Sequence, residues 1–107
     1  MDPELPRPGQ RRVPLLDNLG RMCQRGRDSA TYLWQVPDDA DVRRDLGALL
    51  RQIRDESGAQ GRREMGRITQ ELETALAASP SPQQVEILQD GFDRLFKLWQ
   101  AAKSGLL

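Results

Sequence analysis

Histidine is missing from this sequence altogether, and cysteine occurs only once. Without an imidazole the chain has no Ser-His or Cys-His pair for nucleophilic catalysis and no histidine ligand for zinc. Cys23 cannot form a disulfide within the chain, which fits a reducing cytoplasm. It lies on an apolar stripe, so we expect a buried, unreactive thiol. Because the carboxylates are scattered and absent from the strongest apolar stripes, we expect a non-enzymatic protein with no metal or cofactor.

An excess of charge and long apolar runs are also lacking. Lysine and arginine together number 16, as do aspartate and glutamate, so the formal net charge is zero. Bulk electrostatics therefore do not attract the chain to nucleic acid or to an anionic membrane. No apolar run approaches the roughly 20 residues of a membrane-spanning helix, and the proline-rich start lacks the apolar segment of a signal peptide. We expect a cytoplasmic protein with one domain, because 107 residues can bury a single helical core.

The sequence does contain a polar arm followed by four amphipathic segments. Residues 1–12 combine prolines and a glycine with charges, which predicts a flexible N-terminal arm. The spacing of apolar residues then predicts helices from near Val13 to about Trp34, from the aspartates at 38–41 to about Glu56, over residues 65–76, and from Ser81 onward. No segment alternates with a strand period for long. The prediction is an all-α antiparallel four-helix bundle over residues 13–104.

Glycines and capping residues refine the predicted helices. Gly20 and Gly26 either weaken the first helix or mark a break or a close helix crossing. Gly58 and Gly61 predict a turn that ends the second helix, since glycine allows the backbone to reverse. The run Ser81-Pro82-Gln83-Gln84 predicts a helix start with a hydroxyl cap and a capping box closed by Gln84.

Residues 49–73 read LLRQIRDESGAQGRREMGRITQELE, and this stretch resembles the core of histidine phosphotransfer (HPt) domains. That family carries a pattern like A-H-x-L-K-G-x-x-G-x-x-G, followed by an apolar helix that ends in L-E. With Gly58 and Gly61 on the two later glycines, Arg51 takes the position of the phosphorylatable histidine. Arg54 then takes the position of the basic residue beside the phosphate, and Asp55 replaces the usual small glycine.

The resemblance implies an HPt-like bundle that has lost its phosphoryl acceptor, because a guanidinium stays cationic and does not accept a phosphoryl group. We therefore expect a non-catalytic pseudo-HPt module for protein interaction in two-component signalling. The expected partner is a response-regulator receiver domain or a sensor kinase. The residues expected to bind it are Arg51, Arg54, Asp55 and Gly58. The alternative for the same residues is a solvated helix face, with the glycines serving only the turn.

Two other classes of function remain open. A structural bundle could form a homodimer through the wide apolar face of the fourth helix or through the region of Trp34. Nucleic-acid binding is a distant third, indicated only by arginines close together in the sequence and disfavoured by the acidic residues between them. The arginines concerned are Arg51, Arg54, Arg62, Arg63 and Arg67. The aromatic residues of the fourth helix, Phe92, Phe96 and Trp99, share one stripe and are predicted to lie in the core.

Overall fold

The computed structural model describes residues 8–105, with side chains from residue 16 onward. Over that range the chain forms four α-helices and no strand, which confirms the predicted all-α four-helix bundle. The helices are α1 (Pro8–Leu33), α2 (Ala40–Ala59), α3 (Arg63–Leu76) and α4 (Pro82–Lys103). The helix α1 begins earlier than the predicted start near Val13, and the part of the predicted arm before Pro8 lies outside the described residues.

The helices form a closed ring in which each packs against two neighbours, in the order α1, α2, α3, α4 and back to α1. Two tryptophans join α1 and α4 at opposite ends. Trp34, just after α1, donates a hydrogen bond to Gln89 near the start of α4, whereas Trp99 near the end of α4 donates one to the carbonyl oxygen of Leu16. This pairing makes α1 and α4 antiparallel, and within residues 8–105 no helix is long and apolar enough to cross a membrane.

The core lies inside the ring and consists of the apolar stripes that the sequence predicts. Phe92 is fully buried at its centre, while Phe96 and Trp99 are half-buried and pack against it. Cys23 is fully buried as predicted, and this burial raises the pKa of its thiol to about 12. The other buried apolar side chains of the cluster are Leu19, Met22, Ala30, Leu33, Leu46, Leu49, Leu50, Ile53, Met65, Ile68, Leu72, Val85, Leu88 and Leu95.

The two glycines of α1 mark a close helix crossing and not a break, since α1 is continuous through both. A Cβ atom added to Gly20 would overlap the indole of Trp99, and one added to Gly26 would overlap the ring of Phe92. Glycine at these positions therefore lets the aromatic side chains of α4 pack directly on the backbone of α1.

The helix α4 begins where the sequence predicts, at Ser81, whose hydroxyl accepts a hydrogen bond from the amide of Gln84 at 3.1 Å. The predicted capping box is wrong in one respect. The side chain of Gln84 donates instead to the carbonyl oxygens of Ala75 and Ala78, at 2.8 and 2.6 Å. These carbonyls lie at the end of α3, where helices leave their acceptors unsatisfied. Gln84 therefore links α4 to the end of α3, whereas the sequence predicted that its side chain would cap only α4.

Arg43 of α2 completes this connection. Its guanidinium donates to the side-chain oxygen of Gln84 at 2.6 Å and to the carbonyl oxygens of Leu76 and Ala78, at 3.1 and 3.0 Å. A fourth hydrogen bond, to the carbonyl oxygen of Pro37 at 3.2 Å, reaches the connection before α2. Arg43 and Gln84 thus hold α2, α3 and α4 together at the end of the bundle opposite the α2–α3 turn.

Candidate docking site at the turn between α2 and α3

The turn between α2 and α3 is formed differently from the sequence prediction. The helix α2 continues past Glu56 to Ala59, so Gly58 is helical and is not the residue that reverses the chain. Gly61 makes the reversal, with a φ of 69°, a left-handed value that favours glycine. The amide of Arg62 then donates to the carbonyl oxygen of Ser57 at 2.8 Å, and α3 begins at the next residue.

The four predicted partner-binding residues lie on one side of α2. Arg54, Asp55 and Gly58 are spaced i+3, i+4 and i+7 from Arg51. The side chain of Arg51 is exposed and forms no ion pair with any other side chain in residues 16–105. Arg54 is half-buried, and its Nη1 contacts Oε1 of Glu73 on α3 at 2.9 Å. Asp55 lines a separate depression on the α1 side, with Asn18 and Met22.

Arg54 and Gly58 line an open groove of about 440 Å³ that runs between α2 and α3. We call it the arginine groove, because four of the residues that line it are arginines. No carboxylate belongs to this lining. Asp55 therefore does not offset the positive charge of the groove from within. The residues that line it are Arg54, Gly58, Gly61, Arg62, Arg63, Gly66, Arg67 and Gln70.

The four guanidinium groups of the arginine groove differ in how far they are already engaged. Arg67 contacts Glu64 and Glu71 through its three nitrogens. Its hydrogen bonds to Glu64 are the main cause of the lowered pKa of that carboxyl group. Arg54 uses Nη1 for Glu73, and Arg62 uses Nε for the side-chain oxygen of Gln60 at 2.7 Å. Among the described side chains, the remaining guanidinium nitrogens of Arg54 and Arg62 have no acceptor.

Two glycines in the lining have no packing role. Gly58 and Gly66 lie within α2 and α3, and no atom lies within 4 Å of a Cβ atom added to either one. A helical glycine lowers helix stability by about 1 kcal/mol relative to alanine. At Gly20 and Gly26, by contrast, an aromatic ring of α4 fills the space that a side chain would occupy. At the groove the missing side chains leave backbone atoms accessible beside the arginines.

Six of the eight residues that line the groove were not among the predicted site residues. Arg62, Arg63 and Arg67 entered the sequence analysis only as weak evidence for nucleic-acid binding, and Gly61 only as a turn residue. Gly66 lies three residues after Arg63, the first residue of α3, and four after Arg62, which caps the helix; at helical spacing both arginines adjoin Gly66. That spacing is the signal that could have indicated them.

The comparisons with known proteins identify no relative. No protein-family model matches the chain, and no curated protein or solved structure is significantly similar to it. The resemblance to HPt domains therefore stays a prediction made from the residues alone. What the site can do chemically follows from its groups: it offers guanidinium donors, which bind anionic groups.

Proposed function

We propose that this chain is a non-catalytic docking module that binds an acidic protein surface without transferring phosphate. The observation that supports this is the arginine groove, together with Arg51 one turn before Arg54 on the same face of α2. In a molecule of zero net charge, these arginines lie on one surface, although Arg54 is paired there with Glu73 and Arg67 with Glu64 and Glu71. Complementary charge on a partner directs association and fixes its orientation more than it adds affinity.

The resemblance to HPt domains suggests the class of partner. A receiver domain carries carboxylates around its phosphorylation pocket, and an HPt-like helix would present Arg51 to that pocket in place of histidine. The planar guanidinium can engage a carboxylate through two hydrogen bonds. We therefore propose a receiver domain of a response regulator, or of a sensor kinase, as the partner, and the cytoplasm as the place where they meet.

A titration of receiver domains from the same organism against the parent protein tests this function. We expect Arg51→Ala to weaken binding about 5-fold to 100-fold, the equivalent of about 1–3 kcal/mol for a charge-assisted hydrogen bond. Arg54→Ala should weaken it as well, and higher salt should reduce the difference between the variants. Circular dichroism establishes that the variants are folded.

Arg25→Ala provides a matched control, because Arg25 is an exposed arginine of α1, the helix opposite α3 in the ring. This variant loses the same charge and should bind as the parent does. If Arg51→Ala and Arg54→Ala both leave the affinity unchanged, the docking function at this face is wrong. A loss on Trp34→Ala alone would assign the interaction to the corner between α1 and α2.

A further inference from the structure

We infer that the arginine groove is a binding site for a phosphoryl group, so that the module distinguishes a phosphorylated partner from an unphosphorylated one. This inference rests on the proposed function for the source of the phosphoryl group. The groove itself is the independent observation. It combines four guanidinium groups with a lining that contains no carboxylate, and guanidinium donors suit an oxyanion with several acceptor oxygens.

The engagement of the arginines indicates which of them would bind the phosphoryl group. Arg54 is held in place by Glu73 through Nη1, which leaves Nε and Nη2 for a ligand. Arg62 is held through Nε by Gln60, which leaves both terminal nitrogens. Because one nitrogen of each guanidinium is already fixed, the side chain loses less conformational entropy when it binds a ligand. Arg63 lines the groove beside Arg62, and its side chain forms no hydrogen bond or ion pair within residues 16–105. Arg67 is the exception, because its nitrogens already contact Glu64 and Glu71.

The glycines provide the second line of argument. Gly58 and Gly66 are helical and open to solvent, and their backbone conformation does not require glycine, because neither has a positive φ. Their side-chain positions adjoin the arginines that line the same groove. A side chain at either position would occupy the space that a tetrahedral group with its oxygens needs. The start of α3 lies at the same place, where the positive end of its dipole favours an anion, but the negative end of the α2 dipole meets it at this turn. The guanidinium groups therefore carry the argument.

Inorganic phosphate is the probe for the groove itself, followed by amide chemical shifts at constant ionic strength against chloride. We expect saturable shifts at Gly58, Gly61 and Gly66 in the parent protein. Exchanging both Arg62 and Arg63 for glutamine should weaken this binding about tenfold or more, because the variant loses two charged hydrogen-bond donors. Arg67→Gln should change it little, because that guanidinium is committed to its carboxylates.

Arg25→Gln is the matched control, with the same loss of charge on α1. Gly66→Glu is a second variant that tests the groove without removing an arginine. Its new side chain points into open space, so the fold should persist while the carboxylate repels phosphate. If the parent shows no saturable shift, or if the Arg62→Gln/Arg63→Gln variant binds phosphate as the parent does, the inference is wrong.

A second measurement separates this inference from the docking function. A receiver domain that binds the module is titrated with and without beryllium fluoride, which mimics the phosphoryl group on its aspartate. We expect tighter binding of the beryllium fluoride form, with the gain lost in the Arg62→Gln/Arg63→Gln variant. Equal affinity for the two forms would overturn the inference and leave docking intact. Phosphate binding without binding of any receiver would overturn docking and assign the groove to a small phosphorylated molecule.

Discussion

Arg43 and Arg44 are neighbours in sequence with different roles in the bundle. Arg44 lies on the surface of α2, where its nearest partner is Asp41 at 3.1 Å and its side chain is 71% exposed. Exposed pairs of this kind contribute little to stability. Arg43 points to the end of α3 and donates to carbonyl oxygens there and to Gln84. Helical spacing indicates that Arg43 faces inward, because it lies three and seven residues before the buried Leu46 and Leu50. Its acceptors cannot be read from the local sequence, because they come from α3 and α4.

We expect Arg43→Ala to lower the free energy of unfolding by about 2–3 kcal/mol, because the buried oxygen of Gln84 and the last carbonyls of α3 lose their donor. Arg44→Ala should change it by no more than about 0.5 kcal/mol. Urea unfolding followed by circular dichroism measures both, and equal losses in the two variants would show that the network at Gln84 does not stabilise the bundle.

The helices contain two kinds of glycine, and only the contacts between helices separate them. Gly20 and Gly26 of α1 lie under aromatic rings of α4, so their lack of a side chain is a packing requirement. Gly58 of α2 and Gly66 of α3 face open space. These four glycines have flanking residues of similar character in the sequence. Which of them packs and which stays open depends on the partner helix.

Exchange of each glycine for alanine should therefore change stability in opposite directions. Gly58→Ala and Gly66→Ala should raise the free energy of unfolding by about 0.5–1 kcal/mol each, as alanine does in an exposed helix. Gly20→Ala and Gly26→Ala should lower it by about 1–3 kcal/mol, because the methyl group displaces a packed ring. Thermal melts of the four variants test this, and a loss of stability in Gly58→Ala would contradict the open geometry of the groove.

At the scale of the elements, the sequence predicts a helix start most closely where a local capping residue marks it. Ser81 and Asp39 cap α4 and α2 through their side-chain oxygens, and both signals are local. The predicted end of α2, at about Glu56, is too early. A glycine within a helix does not end the helix when a later residue makes the turn, and here Gly61 makes it. The same limit applies to the site. Arg51, Arg54 and Gly58 follow from helical spacing, whereas Arg62 and Arg63 join them only when the turn folds.

For the whole molecule, the ring of helices determines which surface is left for a second copy. The sequence analysis considered the apolar face of α4 as a dimer interface. Its residues Val85, Leu88, Phe92 and Leu95 are fully buried between α1 and α3, so that face is not available. Among the described residues, the exposed large apolar side chains are Tyr32, Trp34, Val36 and Ile87.

These side chains make a poor dimer interface, because a stable one buries about 1,200–2,000 Å² in total. Tyr32 and Trp34 also donate hydrogen bonds within their own chain, to Asp39 and Gln89. A dimer formed through these side chains would have to keep both hydrogen bonds. We therefore expect a monomer, with a mass near 12.1 kDa by sedimentation equilibrium that does not change with concentration. A dimer that Trp34→Ala returns to the monomer, while Arg25→Ala does not, would contradict this and support the homodimeric alternative.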